Sequence, residues 1–86
     1  MRLVFTPIAW EDYRHWQSTD KAVLKRVNRL LDEVLRDPLS GIGKPEPLRH
    51  VLAGCWSRRI DDEHRLVYLV EEDDVAVLQA RYRYGR

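Results

Sequence analysis

Cysteine and long apolar runs are scarce in this sequence, and each shortage excludes a class of protein. Among its 86 residues Cys55 is the only cysteine, so no disulfide can form within the chain. No apolar run approaches the roughly 20 residues that a membrane-spanning helix requires. Residues 1–5 lack the longer apolar region of a signal peptide. We therefore expect a cytoplasmic protein with no part in the membrane, in which Cys55 is a buried, unreactive side chain.

An excess of charge of either sign is also missing, since 15 basic and 14 acidic side chains give a formal net charge of +1. This balance argues against a strong general affinity for nucleic acid. Most of the basic side chains are arginines, however, and the planar guanidinium suits two-point contact with phosphate. For any single arginine, an ordinary solvated surface is the better explanation. For a set of arginines that converges in the fold, phosphate binding is favoured.

The length suffices for one small domain, residues 1–86, with a single core. A short apolar run at residues 2–5 predicts an edge strand. Thr6 followed by Pro7 then predicts the start of a helix that ends near Trp16. Ala9, Tyr13 and Trp16 share one face of this helix and are expected in the core.

The second helical segment has the clearest periodicity in the chain. Ser18, Thr19 and Asp20 offer a cap at its start, and Asp37 with Pro38 ends it. An apolar stripe follows the helical repeat through Val23, Leu24, Val27, Leu30, Leu31, Val34 and Leu35. A domain this small needs that stripe for its own core.

The last third of the chain changes to the pattern of strands. Residues 56–60, 64–70 and 75–84 are rich in β-branched and aromatic side chains, and short acidic turns separate them. Short turns between consecutive strands predict an antiparallel meander. The expected fold class is therefore α+β: two N-terminal helices packed on one face of a small antiparallel sheet, in the order β-α-α-β-β-β.

The loop between the second helix and these strands carries the most informative residue, Glu46. Pro45 and Pro47 flank it; each proline fixes its own φ, and Pro47 also favours an extended conformation at Glu46. The sequence supplies nearby and later cations at Lys44, Arg49, Arg58, Arg59 and Arg65. A carboxylate held on a stiff loop among cations is what the cleavage of a phosphodiester would require.

Cleavage of RNA by its own 2′-hydroxyl requires a base, a group that stabilises charge on phosphorus, and an acid for the leaving 5′-oxygen. Glu46 can be the base and Arg65 the stabiliser. In the last predicted strand Arg81 and Arg83 share one face, and pairing with the neighbouring strand could bring Arg65 within reach of this segment.

No metal site or other cofactor is expected. His15, His50 and His64 form no recognisable ligand pattern with one another or with Cys55. Each histidine is expected at the surface or in packing. His64, beside Arg65, is the one that stays a candidate for chemistry.

Six ordered motifs are distributed along nearly the whole chain: Trp10-Glu11-Asp12-Tyr13, Trp16-Gln17, Gly43-Lys44-Pro45-Glu46-Pro47-Leu48, Trp56-Ser57-Arg58-Arg59-Ile60, Glu63-His64-Arg65-Leu66-Val67-Tyr68, and the closing Arg81-Tyr82 with Tyr84. Together they resemble the YoeB (Txe) toxins of bacterial toxin–antitoxin modules. The resemblance implies a RelE/ParE-type fold and an endoribonuclease that cleaves mRNA in the ribosomal A site. It also implies a YefM- or Phd-like antitoxin, frequent homodimerisation, and contact with operator DNA only through the antitoxin complex.

By the same resemblance, Glu46 corresponds to the general base, Arg65 to the phosphate-stabilising arginine and Tyr84 to a terminal catalytic tyrosine. The residues expected to contact RNA are Lys44, Arg49, Arg58, Arg59 and Arg81. The family usually ends in Arg-Tyr-His-Tyr, with the histidine as general acid. In this chain Arg83 stands at that position, and Gly85 and Arg86 follow.

Arginine releases a proton poorly, so Arg83 leaves several interpretations open. Arg83 could stabilise the leaving oxygen electrostatically, or His64, a tyrosine, ribosomal RNA or water could supply the proton. The toxin could also be attenuated. A second class is a non-enzymatic relative, either a ParE-like inhibitor of a protein target or an antitoxin-binding co-repressor. The plainest alternative is a small α+β domain that joins other proteins through its basic face.

Overall fold

One sheet with two helices on one of its faces forms the domain. The structure is a computed structural model that describes residues 1–83. Within these residues the elements are β1 (Arg2–Phe5), α1 (Pro7–Thr19), α2 (Lys21–Arg36), β2 (Glu46–Pro47), a 3₁₀ turn (His50–Leu52), β3 (Cys55–Arg59), β4 (Arg65–Val70) and β5 (Asp74–Gln79). The strands lie in the order β1-β5-β4-β3-β2. Neither helix in this part of the chain has the length and apolar composition that a membrane span requires.

Both helices begin at the capping residues that the sequence predicts. The Thr6 hydroxyl accepts a hydrogen bond from the Ala9 amide at 3.1 Å, with proline in the first turn of α1. The Asp20 carboxylate accepts from the amides of Ala22 and Val23 at the start of α2. α1 extends to Thr19, past the predicted end near Trp16.

The core lies between the helices and one face of the sheet. The apolar stripe of α2 supplies Val27, Leu30 and Val34, which are fully buried. Side chains from β4 and β5 close the core from the other side, at Leu66, Tyr68, Val75 and Val77. Trp16 is buried in the same cluster as predicted, and Tyr13 packs at its margin.

The predicted fold class and element order are confirmed, and the structure adds two pairings to them. β1 pairs in parallel with β5, and the Arg2 guanidinium donates to the Asp74 carboxylate at 2.8 Å across this pair. That hydrogen bond holds the pKa of the Asp74 carboxyl below its ordinary value. At the opposite edge, β2 pairs antiparallel with β3, so the predicted loop around Glu46 contains a short edge strand.

The predicted last strand, 75–84, is too long. β5 ends at Gln79, and Tyr82 has φ of 62°, in the left-handed region that side chains rarely adopt. The strand alternation expected for Arg81 and Arg83 therefore does not apply, because a strand cannot continue through that backbone conformation. Tyr84 lies outside the described residues.

Candidate active site

Glu46 lies on β2 with its side chain exposed, and β3 holds the segment on both sides of it. The Arg59 amide donates to the Gly43 carbonyl at 2.7 Å, and the Leu48 amide donates to the Cys55 carbonyl at 2.9 Å. Glu46 itself is registered opposite Ser57. The carboxylate is thus carried by backbone that pairs with the sheet, which restricts its position more than the prolines alone would.

Gly43 lets this segment approach the core closely. Its φ is +85°, and a Cβ atom there would lie 2.8 Å from Leu30 Cδ2 and 3.0 Å from Arg58 Cβ. Any larger residue would have to displace one of these buried side chains or the loop. The next residue, Lys44, also has a positive φ, of 51°. The tight turn directs the chain into β2.

The sheet register places the main candidate residues on one side. Glu46 lies opposite Ser57, and Arg59 lies opposite Arg65, so all four share the face that points away from the helices, here called the distal face. Standard strand spacing and rise put the Cα atoms of Glu46 and Arg65 on the order of 12 Å apart. Side chains of this length can contact one phosphodiester group from two sides.

Arg65 is held in place by backbone carbonyls. Its Nη1 atom donates to the carbonyls of Asp61 at 2.7 Å and His64 at 3.0 Å, and the residue is 6% exposed. Its amide donates to the Tyr82 carbonyl at 2.8 Å. These contacts fix the guanidinium at the start of β4, where the backbone of Arg65 pairs with that of Tyr82.

Arg83 lies beside the same turn. Its Nη2 atom donates to the Asp62 carbonyl at 3.2 Å, and the residue is exposed. Since Arg65 donates to the neighbouring carbonyl of Asp61, both guanidinium groups lie against the turn that precedes β4. Two cations placed together create a site that favours an anion. The sequence predicted this proximity for the wrong reason, since a turn rather than a continued strand produces it.

Two buried side chains of α1 hold the chain as it leaves β5. The Asp12 carboxylate accepts from the Ala80 amide at 3.0 Å, and the Trp16 indole donates to the Ala80 carbonyl at 2.7 Å. Trp16 lies in the core as predicted, whereas the burial of Asp12, which is 1% exposed, was not predicted. Its position four residues before Trp16, on the apolar side of α1, was the available signal.

The expectation that Arg58 contacts RNA is wrong in this structure. Arg58 is 0% exposed, because it lies on the helix side of the sheet. Its Nε donates to the Tyr68 hydroxyl at 3.0 Å, and its Nη atoms donate to the carbonyls of Asp37, Ser40 and Ile42 at 2.6, 2.9 and 3.1 Å. Arg58 therefore connects the loop after α2 to the sheet through these hydrogen bonds.

The other predicted RNA contacts have different surroundings. Lys44, Arg49 and Arg59 are exposed, and contact between these side chains and RNA stays a prediction. Arg81 is half-buried, with its guanidinium 4.5 Å from the centre of the Tyr82 ring. Arg81 also lines a groove along α1. Contact between Arg81 and RNA stays a prediction.

His64 and Cys55 are both buried. The Nδ1 atom of His64 accepts from the Tyr82 amide at 2.7 Å, and its ring lies edge to face with Trp16 at 4.8 Å. Burial raises the pKa of the Cys55 thiol, so this cysteine has the inert surroundings that we expected. His64 therefore holds the backbone at Tyr82 through its Nδ1 atom.

An open groove of about 650 Å³ runs beside Glu46, lined by residues 46–52. Val51 projects from its 3₁₀ turn with 96% of its surface exposed. His50, at the start of that turn, has φ of 59°. The groove offers an extended ligand a path past the Glu46 carboxylate.

Solved structures similar to this chain include toxins. The chain superposes with a TM-score of 0.95 on a YoeB/ParE toxin from Agrobacterium tumefaciens, at 45% identity and over 98% of this chain and 100% of that one. The TM-score is 0.90 for YoeB from Staphylococcus aureus, solved as a dimer, with 44% identity over 98% of both chains. A YoeB from S. aureus has also been solved in a heterotetrameric toxin–antitoxin complex with YefM, where the TM-score is 0.89 at 44% identity over 98% of both chains. The structural similarity therefore places this chain in the class of toxins from toxin–antitoxin systems.

The sequence comparison defines the family. The family described as the YoeB-like toxin of bacterial type II toxin–antitoxin systems matches residues 5–84, and this chain belongs to it. Toxin YoeB of Streptomyces coelicolor is 56% identical over 84 residues, which are 98% of this chain and 100% of that protein. The resemblance inferred from the motifs is thus confirmed.

Proposed function

We propose that this toxin is a ribosome-dependent endoribonuclease that cleaves mRNA in the A site by metal-independent attack of the 2′-hydroxyl. The observation that carries the proposal is the placement of Glu46, exposed on a paired edge strand, on the same face of the sheet as Arg59 and Arg65. A base and two cations on one face can engage a single phosphodiester group.

In the proposed reaction Glu46 takes the proton of the 2′-hydroxyl. The 2′-oxygen then bonds to phosphorus while the bond from phosphorus to the 5′-oxygen breaks. Water or a group of the ribosomal RNA donates a proton to the leaving oxygen. Arg65 stabilises the charge that develops on the phosphoryl oxygens. Arg83, which like Arg65 donates to a carbonyl of the turn before β4, stabilises the leaving oxygen. Tyr84 is the terminal catalytic tyrosine that the family resemblance implies.

Translation of a defined message with and without the protein tests this function. We expect new RNA ends at codons in the A site, and only while the message is being translated. Intact message under active translation, with folded wild-type toxin present, would refute the proposal.

Substitutions at Arg83 test whether this arginine contributes to cleavage or attenuates the toxin. Arg83→Met removes the cation while it keeps the length of the side chain, and we expect a 10²- to 10³-fold lower cleavage rate, the usual effect of losing one transition-state donor. Arg83→His should cleave at least as fast as wild type, because an imidazole can also donate a proton. The measurement is the rate of end formation on translating ribosomes.

The second candidate function, an attenuated or non-catalytic relative, is favoured by the arginine at position 83. If Arg83→Met were as active as wild type and Arg83→His far more active, the native toxin would be attenuated. Such a protein would act through binding, either as a ParE-like inhibitor of a protein target or as the partner of an antitoxin in a repressor.

We propose a YefM- or Phd-like antitoxin as the partner, with operator DNA contacted only through that complex. The complex of S. aureus YoeB with YefM supports this assignment. A short acidic reading frame beside the toxin gene would support it independently.

We also propose that the toxin is a homodimer, in line with the S. aureus YoeB dimer. Trp10 is 49% exposed, and it stacks on Tyr13 and contacts Phe5 edge to face beside the exposed edge strand β1. Aromatic clusters of this kind are common anchors of interfaces.

Trp10→Ala is therefore expected to raise the dimer dissociation constant by roughly 30-fold or more, the effect of losing an interface hot spot. Sedimentation over a range of concentrations measures the constant. Val51→Ala is the control, since it removes another exposed apolar side chain, in the groove beside Glu46. A dissociation constant that Trp10→Ala leaves unchanged would place the interface elsewhere.

A further inference from the structure

The segment after β5 is held by side chains instead of a strand ladder. Asp12 and Trp16 bind both backbone groups of Ala80. Tyr82, two residues later, keeps a left-handed backbone with φ of 62°. A non-glycine residue stays in that conformation only when its surroundings impose it.

Gln79 is the first of two groups that impose it. The residue is 7% exposed, and its Nε2 atom donates to the carbonyls of Arg81 at 2.8 Å and Tyr82 at 3.2 Å. The same nitrogen also contacts the Arg83 carbonyl. One NH₂ group, with two hydrogens to donate, thus lies against three successive carbonyls, and this holds the chain bent back toward β4.

His64 is the second group. Its Nδ1 atom accepts from the Tyr82 amide at 2.7 Å, while the Tyr82 carbonyl accepts from the Arg65 amide at 2.8 Å. Both backbone groups of the strained residue are therefore bonded. The next residue is Arg83, whose guanidinium then reaches the Asp62 carbonyl.

We infer that Gln79 and His64 are positioning residues for the terminal part of the active site: they hold the turn that brings Arg83 beside Arg65. That these residues hold the turn follows from the hydrogen bonds. That they affect cleavage rests on the proposed function. Gln79 is the sharper test, because the bonds of its amide group run to residues 81–83, whereas His64 also packs on Trp16.

Gln79→Met removes the donor and keeps the volume of the side chain. We expect the protection factor of the Tyr82 amide against hydrogen exchange to fall at least tenfold. We expect the maximum cleavage rate to fall about 10- to 100-fold, because a displacement near 1 Å of a catalytic group has an effect of this size. The toxin concentration that gives half of the maximum rate should change by less than about threefold, since the exposed RNA-facing side chains are untouched.

The chain offers a matched control in its other glutamine. Gln17 is exposed on α1, and Gln17→Met makes the same chemical change away from the turn. It should leave the exchange of Tyr82, the cleavage rate and the melting temperature as in wild type. The melting temperature of Gln79→Met, measured in parallel, shows whether any loss of activity merely reflects unfolding.

A pair of variants at His64 isolates its hydrogen bond. His64→Asn and His64→Leu both remove the ring and have nearly the same shape, but only asparagine can accept from the Tyr82 amide. We expect the asparagine variant to retain at least tenfold more protection of Tyr82 and more activity than the leucine variant.

The outcomes separate the two proposals. If wild type does not cleave, the proposed function fails, and the exchange data alone decide whether Gln79 and His64 hold the turn. If wild type cleaves, and Gln79→Met cleaves equally fast or protects Tyr82 equally well, the positioning role is refuted. Equal behaviour of the asparagine and leucine variants would refute it for His64.

Discussion

Glu46→Gln should cleave mRNA roughly 10²- to 10⁴-fold more slowly than wild type, because an amide cannot take the proton of the 2′-hydroxyl. The side chain keeps its size, and β2 pairs with β3 through backbone. The fold should therefore be unchanged, with a free energy of unfolding within about 0.5 kcal/mol of wild type. Rates come from end mapping on translating ribosomes, and stability from denaturant unfolding.

Glu72→Gln provides the matched control. Glu72 is exposed in the turn between β4 and β5, at the far end of the β4 strand from Arg65, so the same loss of charge should leave cleavage unaffected. Antitoxin binding should persist in both variants. Normal cleavage by Glu46→Gln would remove Glu46 from the role of base, and persistent toxicity without RNA cleavage would point to a protein target.

Arg58→Met should lower the free energy of unfolding by about 2–4 kcal/mol, because buried carbonyls and a hydroxyl lose their donor. The acceptors are the Tyr68 hydroxyl and three carbonyls of the loop after α2. For a domain of this size the melting temperature should fall by roughly 8–30 °C. Thermal and denaturant unfolding measure both quantities.

Arg59→Met makes the same change on the neighbouring residue, whose side chain is exposed on the distal face. We expect its stability to lie within about 0.5 kcal/mol of wild type. The rate at which Arg59→Met cleaves mRNA should fall, because a cation near the proposed phosphate site is lost. Equal stability of the two variants would contradict the structural role of Arg58, and an unaffected Arg59→Met would remove Arg59 from the RNA contacts.

The helical half of the fold could be predicted because its signals are local. Thr6 and Asp20 define helix starts through bonds to amides two or three residues away, and Pro7 adds a fixed φ in the first turn. The α2 stripe follows directly from 3.6 residues per turn. The error at the end of α1 is one turn, where no strong stop signal is present before Asp20.

The sheet edges could not be predicted, because their pairings join distant residues. β2 contains two residues, and one of them is Pro47, so its sequence has no strand periodicity. β1 lies parallel to β5, more than 70 residues away, and a short apolar run does not specify its neighbour. β5 ends where Asp12 and Trp16 of α1 bind the backbone groups of Ala80, and no local pattern of residue types predicts these contacts.

The sequence by itself determined the two helices, the meander, the family and the candidate base, since these depend on local propensity and on ordered motifs. Only the tertiary structure decided which arginines are buried and which are exposed. Arg58 and Arg59 are the same residue type in adjacent positions, yet successive side chains of a strand point to opposite faces. One is buried against the loop after α2 and the other is exposed, because the helices cover one face of the sheet.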